Sequence, residues 1–72
     1  MTDLKAKIRK ALSLGKRTIP SLCRAVPEVT NEFKMMRLIA EMEEDGSVVL
    51  EGFDRIYRED GGAIYLAEYA LS

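Results

Sequence analysis

Cys23 is the only cysteine in the chain and histidine is absent, which removes most of the side-chain chemistry that enzymes rely on. One thiol cannot close an intrachain disulfide. Without histidine, neither a Ser–His nor a Cys–His nucleophile pair can be assembled, and a zinc site of the usual kind is excluded within one chain. Gly61-Gly62 is an isolated glycine pair with nothing around it that reads as a strand-to-helix phosphate loop. Cys23 itself follows Leu22 with no basic pocket predicted to lower its pKa, so it reads as a small core filler. The chain is expected to be non-catalytic, with no cofactor and no metal.

The chemistry that remains is charge. Net charge is −1 over 72 residues, but the distribution is uneven. Residues 1–37 carry nine bases (Lys5, Lys7, Arg9, Lys10, Lys16, Arg17, Arg24, Lys34, Arg37) against three acids, a balance of +6. Residues 38–72 carry Arg55 and Arg58 against nine acids, a balance of −7. Such a split suggests an anion-binding face on an otherwise neutral molecule.

The elements that must position these charges can be read from spacing. At this length one domain is expected, 1–72, burying about 60% of its unfolded surface. Apolar residues make up 47% and charged residues 32%, the balance of a globular chain and not of a disordered one. No apolar run approaches the roughly 20 residues of a membrane span. The N-terminal stretch shows no signal core, so a cytoplasmic location is expected.

Leu4, Ile8, Ala11 and Leu12 share one face of a first helix, about residues 3–14, with Thr2 or Asp3 capping its start and Gly15 ending it. Thr18 is the natural cap of a second helix, about 19–26, with Pro20 tolerated in its first turn and Pro27 stopping it. A third helix, about 30–45, is predicted from Val29, Phe33, Met36 and Ala40, joined by Ile39 and Met42, with Thr30 as cap and Gly46 as stop. Its opposite face carries Lys34, Arg37, Glu41 and Glu44, with Asn31 and Leu38 at the edge. Met35, Met36 and Met42 read as core or dimer surface.

After Gly46 the composition becomes β-rich. Ser47–Leu50 and Ala63–Ala67 are predicted strands, separated by Glu51–Gly62 with the turn signal Glu59-Asp60-Gly61-Gly62. Arg55-Ile56-Tyr57-Arg58 either extends the hairpin or forms a further strand. Tyr65 and Tyr69 are expected to pack against the first helix, and Glu68–Ser72 either there or on a second copy.

Three stretches together resemble the winged helix-turn-helix superfamily: Thr18-Ile19-Pro20-Ser21-Leu22-Cys23-Arg24-Ala25, Val29-Thr30-Asn31-Glu32-Phe33, and Leu38 through Val48. The match is one of pattern over nearly the whole chain and names no narrower family. It implies an α+β fold, three helices followed by a two- or three-stranded β-wing over about 47–67.

The resemblance further implies that the third helix enters a DNA major groove with Asn31, Lys34 and Arg37 toward the bases. Asparagine suits adenine and arginine suits guanine. Thr18, Ser21 and Thr30, at or near helix N-termini, would favour phosphates, with Lys16 and Arg17 extending that footprint. In the wing, Arg55, Tyr57 and Arg58 would form an arm for the minor groove or backbone. The implied partners are double-stranded DNA and a second copy of the chain, for a transcriptional regulator associated with the nucleoid. The other reading is a protein-docking module using the acidic half, or an apolar patch of Leu38, Met35 and the tail.

Overall fold

The computed structural model describes residues 3–72. In chain order these form α1 (Leu4–Leu12), β1 (Arg17–Thr18), α2 (Ile19–Ala25), α3 (Glu32–Glu44), β2 (Val48–Tyr57) and β3 (Ala63–Leu71). The three strands make one antiparallel sheet in the order β1-β3-β2, so the architecture is α+β.

Local chemistry sets the helix ends. Asp3 Oδ1 accepts the Ala6 amide at 3.1 Å and caps α1, while Thr2 lies outside the described residues. Gly15 follows α1 at φ +139°, a value side chains rarely adopt. Thr18 Oγ1 accepts the Ser21 amide at 3.4 Å with Pro20 in the first turn, and Val26 leaves helical geometry ahead of Pro27. At the end of α3, Gly46 takes φ +86°. Its amide donates to the Glu43 carbonyl at 3.2 Å and that of Ser47 to Met42 at 2.9 Å, which satisfies two orphan carbonyls.

The start and phase of α3 differ from expectation. Asn31, not Thr30, is the cap: its Oδ1 accepts the Lys34 amide at 2.8 Å and the helix begins at Glu32. Val29 therefore stands before the helix, and its spacing to Phe33 carries no helical meaning. The buried face is Met35, Ile39 and Met42, with Leu38 packed beside it. Phe33 is 85% exposed and Met36 52%, and Ala40 is exposed too. Two apolar stripes overlap in this helix, and the one with three fully buried long side chains faces the core.

That core joins all three helices to the base of the hairpin: Ile8 and Leu12 from α1, Leu22 from α2, Val26 and Val29 from the connection, the α3 stripe, and Val48 from β2. Tyr69 packs against this shared core.

The strands run further than predicted. β2 continues through Tyr57 and β3 through Leu71, with a register shift between Leu50 and Gly52 that leaves Glu51 bulged. Arg55–Tyr57 thus extends the hairpin. The Glu68–Leu71 tail is strand, pairing with Arg17–Thr18 on one side and the start of β2 on the other. Beyond the reach of β1 the hairpin is a two-stranded ribbon. Tyr65 lies there, 58% exposed and paired in register with Arg55, away from its expected place against α1. Among the described residues no helix is long and apolar enough to cross a membrane.

Candidate nucleic-acid interface

The first turns of α3 place Asn31, Phe33, Lys34 and Arg37 around a shallow hollow of about 280 Å³. Residues 34 and 37 are neighbours on one helix face, and both side chains are exposed. Neither forms an ion pair with any of the described residues. Asn31 contributes less than its type suggests, because Oδ1 is engaged by the Lys34 amide. The two-pronged reading of adenine needs both amide atoms, so Asn31 retains chiefly its Nδ2 donor for a ligand. Thr30 is exposed and caps nothing.

The four residues expected to hold phosphate around α2 are largely turned to other work. Thr18 is buried, 9% exposed, and its hydroxyl caps α2. Arg17 donates from Nε to the Ala11 carbonyl at 3.1 Å and from a terminal nitrogen to Ser21 Oγ at 3.2 Å. It thereby ties the last turn of α1 to the first turn of α2. Lys16 stands 3.5 Å from the Glu68 carboxylate.

Several other bases are matched as well. Lys5 lies 3.7 Å from Glu41, and Lys7 pairs with Glu28. With Arg17 committed to its two hydrogen bonds, the +6 half of the sequence is reduced in space to Arg9, Lys10, Arg24, Lys34 and Arg37, which make no such carboxylate contact.

On the ribbon, the Arg55 guanidinium lies 5.0 Å from the Tyr57 ring centroid and 5.6 Å from that of Tyr65. This is cation–π range, and it orders the three side chains on one face. Arg58 stands 3.9 Å from Asp60, both well exposed, a contact of little energetic weight in water.

A larger cleft of about 360 Å³ lies between α1 and α2, lined by Lys7, Lys10, Ala11, Leu14, Arg17, Ala25 and Glu28. Its lysine–glutamate ion pair and the engaged Arg17 leave Lys10 as its one uncommitted charge, so it is the weaker candidate for an anion.

Burial, then the nearby Glu32 carboxylate, pushes the Cys23 thiol up, away from the thiolate that nucleophilic chemistry needs. Burial, then Glu43, raises the Tyr69 phenol. Among the described residues no three His, Cys, Asp or Glu side chains group to hold a metal ion.

Phe33 is the residue that sequence reasoning missed. Its spacing places it in the predicted core stripe, yet it is among the most exposed apolar side chains and sits beside the two unpaired cations. The usable signal was the rank of Asn31 over Thr30 as a cap, which moves Phe33 to the second helical position. No protein-family model, curated protein or solved structure matches the chain.

Proposed function

We propose that the chain is a winged-helix domain that binds double-stranded DNA without catalysing a reaction, laying the N-terminal half of α3 in the major groove. The order of three helices, a short strand between the first two, and a closing hairpin supports the winged-helix assignment. The observation that carries the functional proposal is the pair Lys34 and Arg37, exposed, one turn apart and free of carboxylates, with Phe33 beside them. Arginine reads guanine by paired hydrogen bonds, lysine reads a base or holds phosphate, and an aromatic edge suits the thymine methyl group. Arg55 and Arg58 on the ribbon supply backbone contacts, with Tyr57 between them. Transcriptional control by occupancy of a site is the role that fits such a domain.

Fluorescence anisotropy of a labelled random duplex, titrated over a range of salt, tests this. Each phosphate neutralised contributes about 0.9 to the slope of log affinity against log salt. The Lys34→Ala/Arg37→Ala variant should therefore bind more weakly, with a slope shallower by up to about 1.8. Absence of binding up to about 100 µM protein at low salt, or binding without a salt slope, overturns the proposal.

One observation favours protein docking instead: Phe33, Met36 and Ala40 form an exposed apolar stripe on α3. Under that reading a Phe33→Ala/Met36→Ala variant loses its partner while the double cation variant keeps it.

A further inference from the structure

The two long edges of the hairpin are not alike. The outer edge of β2 is guarded in the usual ways: a bulge at Glu51 and the charges of Glu51, Asp54 and Arg55 along its length. The edge of β3 is covered by β1 only at Glu68 and Tyr69. From Ala63 to Ala67 it is open, and these five residues carry no charge, no proline and no register shift. An uncharged, regular, open edge is a template for another strand.

The ribbon behind this edge also lacks support. Two strands without a packed face are marginal in water. Both faces here carry exposed apolar groups: Phe53, Tyr57 and Tyr65 on one, Ile56 and Ile64 on the other.

From these observations we infer that the open edge of β3 is an interface with a second copy of this chain, the two β3 strands pairing antiparallel about a two-fold axis at Tyr65. What selects a second copy over any other strand is that the stretch is nearly its own complement. Ala63-Ile64-Tyr65-Leu66-Ala67 reads alanine, branched aliphatic, tyrosine, branched aliphatic, alanine from either end. Antiparallel pairing centred on Tyr65 sets Ile64 opposite Leu66 of the second copy, alanine opposite alanine, and tyrosine opposite tyrosine.

Because each pair shares one parity, the sheet faces continue across the axis. Ile56 and Ile64 of both copies then line one face of a four-stranded sheet. Gly61-Gly62 brings no side chain to the point where the second copy meets β1. On β2 the bulge at Glu51 interrupts any such regular pairing. An axis at Asp54 or Arg55 sets like charges against each other, which disfavours pairing. The new outer edges are the guarded β2 strands, so the assembly closes at two copies.

Sedimentation velocity of the full chain over a range of concentrations is the test. The expected result is a mass rising from 8.1 kDa towards about twice that value. Ile64→Lys with Leu66→Lys places lysine opposite lysine and should hold the chain at one copy. Ile64→Lys with Leu66→Glu places opposite charges there and should restore the pair.

Circular dichroism establishes that both variants are folded. Should they fail to fold, amide hydrogen exchange on the wild-type chain decides instead, with protection across Ala63–Ala67 expected to rise with concentration. A mass fixed at 8.1 kDa up to about 1 mM overturns the inference. So does assembly that persists in the folded lysine pair, growth beyond two copies, or exchange at Ala63–Ala67 that is independent of concentration.

Discussion

Replacing Arg17 with alanine should lower the stability of the fold and leave any binding face intact. The guanidinium makes two hydrogen bonds, to the Ala11 carbonyl at 3.1 Å and to Ser21 Oγ at 3.2 Å, and is half-buried between α1 and α2. A hydrogen bond with one charged partner contributes about 1.5–3 kcal/mol when well sheltered. Discounted for partial exposure, the two together stabilise the fold by about 2 kcal/mol. In a domain of this size each kcal/mol shifts the melting temperature by about 4–8 °C, so Arg17→Ala should melt about 8–16 °C lower.

Arg17→Lys is the informative control. It keeps the charge but lacks Nε and the planar fork that spans both acceptors, so it should recover less than half of the loss. Thermal denaturation followed by far-ultraviolet circular dichroism gives the shift. Anisotropy on duplex DNA, run well below the lowered melting temperature, gives affinity for the folded fraction. If Arg17→Ala melts within about 2 °C of wild type while affinity falls tenfold or more, Arg17 is a phosphate ligand and the staple assignment is wrong.

Two further outcomes follow from burial and titration. Met35→Ala should cost about 2–5 kcal/mol by opening a cavity at a fully buried side chain. Phe33→Ala, two positions earlier on the opposite side of the helix and 85% exposed, should stay within about 0.5 kcal/mol of wild type in urea denaturation. Comparable losses at both sites would contradict the phase of α3 described above. The Asp45 carboxyl is held below its ordinary range by hydrogen bonds from the Ser47 hydroxyl and amide. Its contribution to stability is therefore complete above the unfolded pKa and lost as pH falls through the lower folded value. Asp45→Asn keeps an acceptor for Ser47 but does not titrate, and should flatten the acid limb of a plot of melting temperature against pH.

Element ends were the most legible part of this chain because they are decided locally. Asp3, Thr18, Pro27 and Gly46 each act within four residues of their own position, and each marks its helix end as expected. The phase of α3 was not legible. Phe33/Met36/Ala40 and Met35/Ile39/Met42 are both helical stripes, and only the position of the cap and the shape of the core choose between them. The length of the strands was obscured for a different reason. Glu51–Tyr57 is exposed along almost its whole length, so no alternation of burial is imprinted on it.

The candidate interface divides in the same manner. The exposure of Lys34 and Arg37 could be read from their placement on a polar helix face. The engagement of Arg17 with Ala11, six residues away, arises only when the chain turns back between α1 and α2.

The pairing of β1 with β3 has a kinetic consequence. Arg17 and Tyr69 meet across 52 positions of sequence, whereas the helices and the hairpin are each formed from neighbouring stretches. Contacts between distant positions are reached late, because the chain entropy of closing the intervening loop must be met before they form. The expected order is an early body of helices and a separately nucleated hairpin, with docking of β1 onto Glu68–Tyr69 as the closing event. Destabilising that contact would then accelerate unfolding far more than it slows folding.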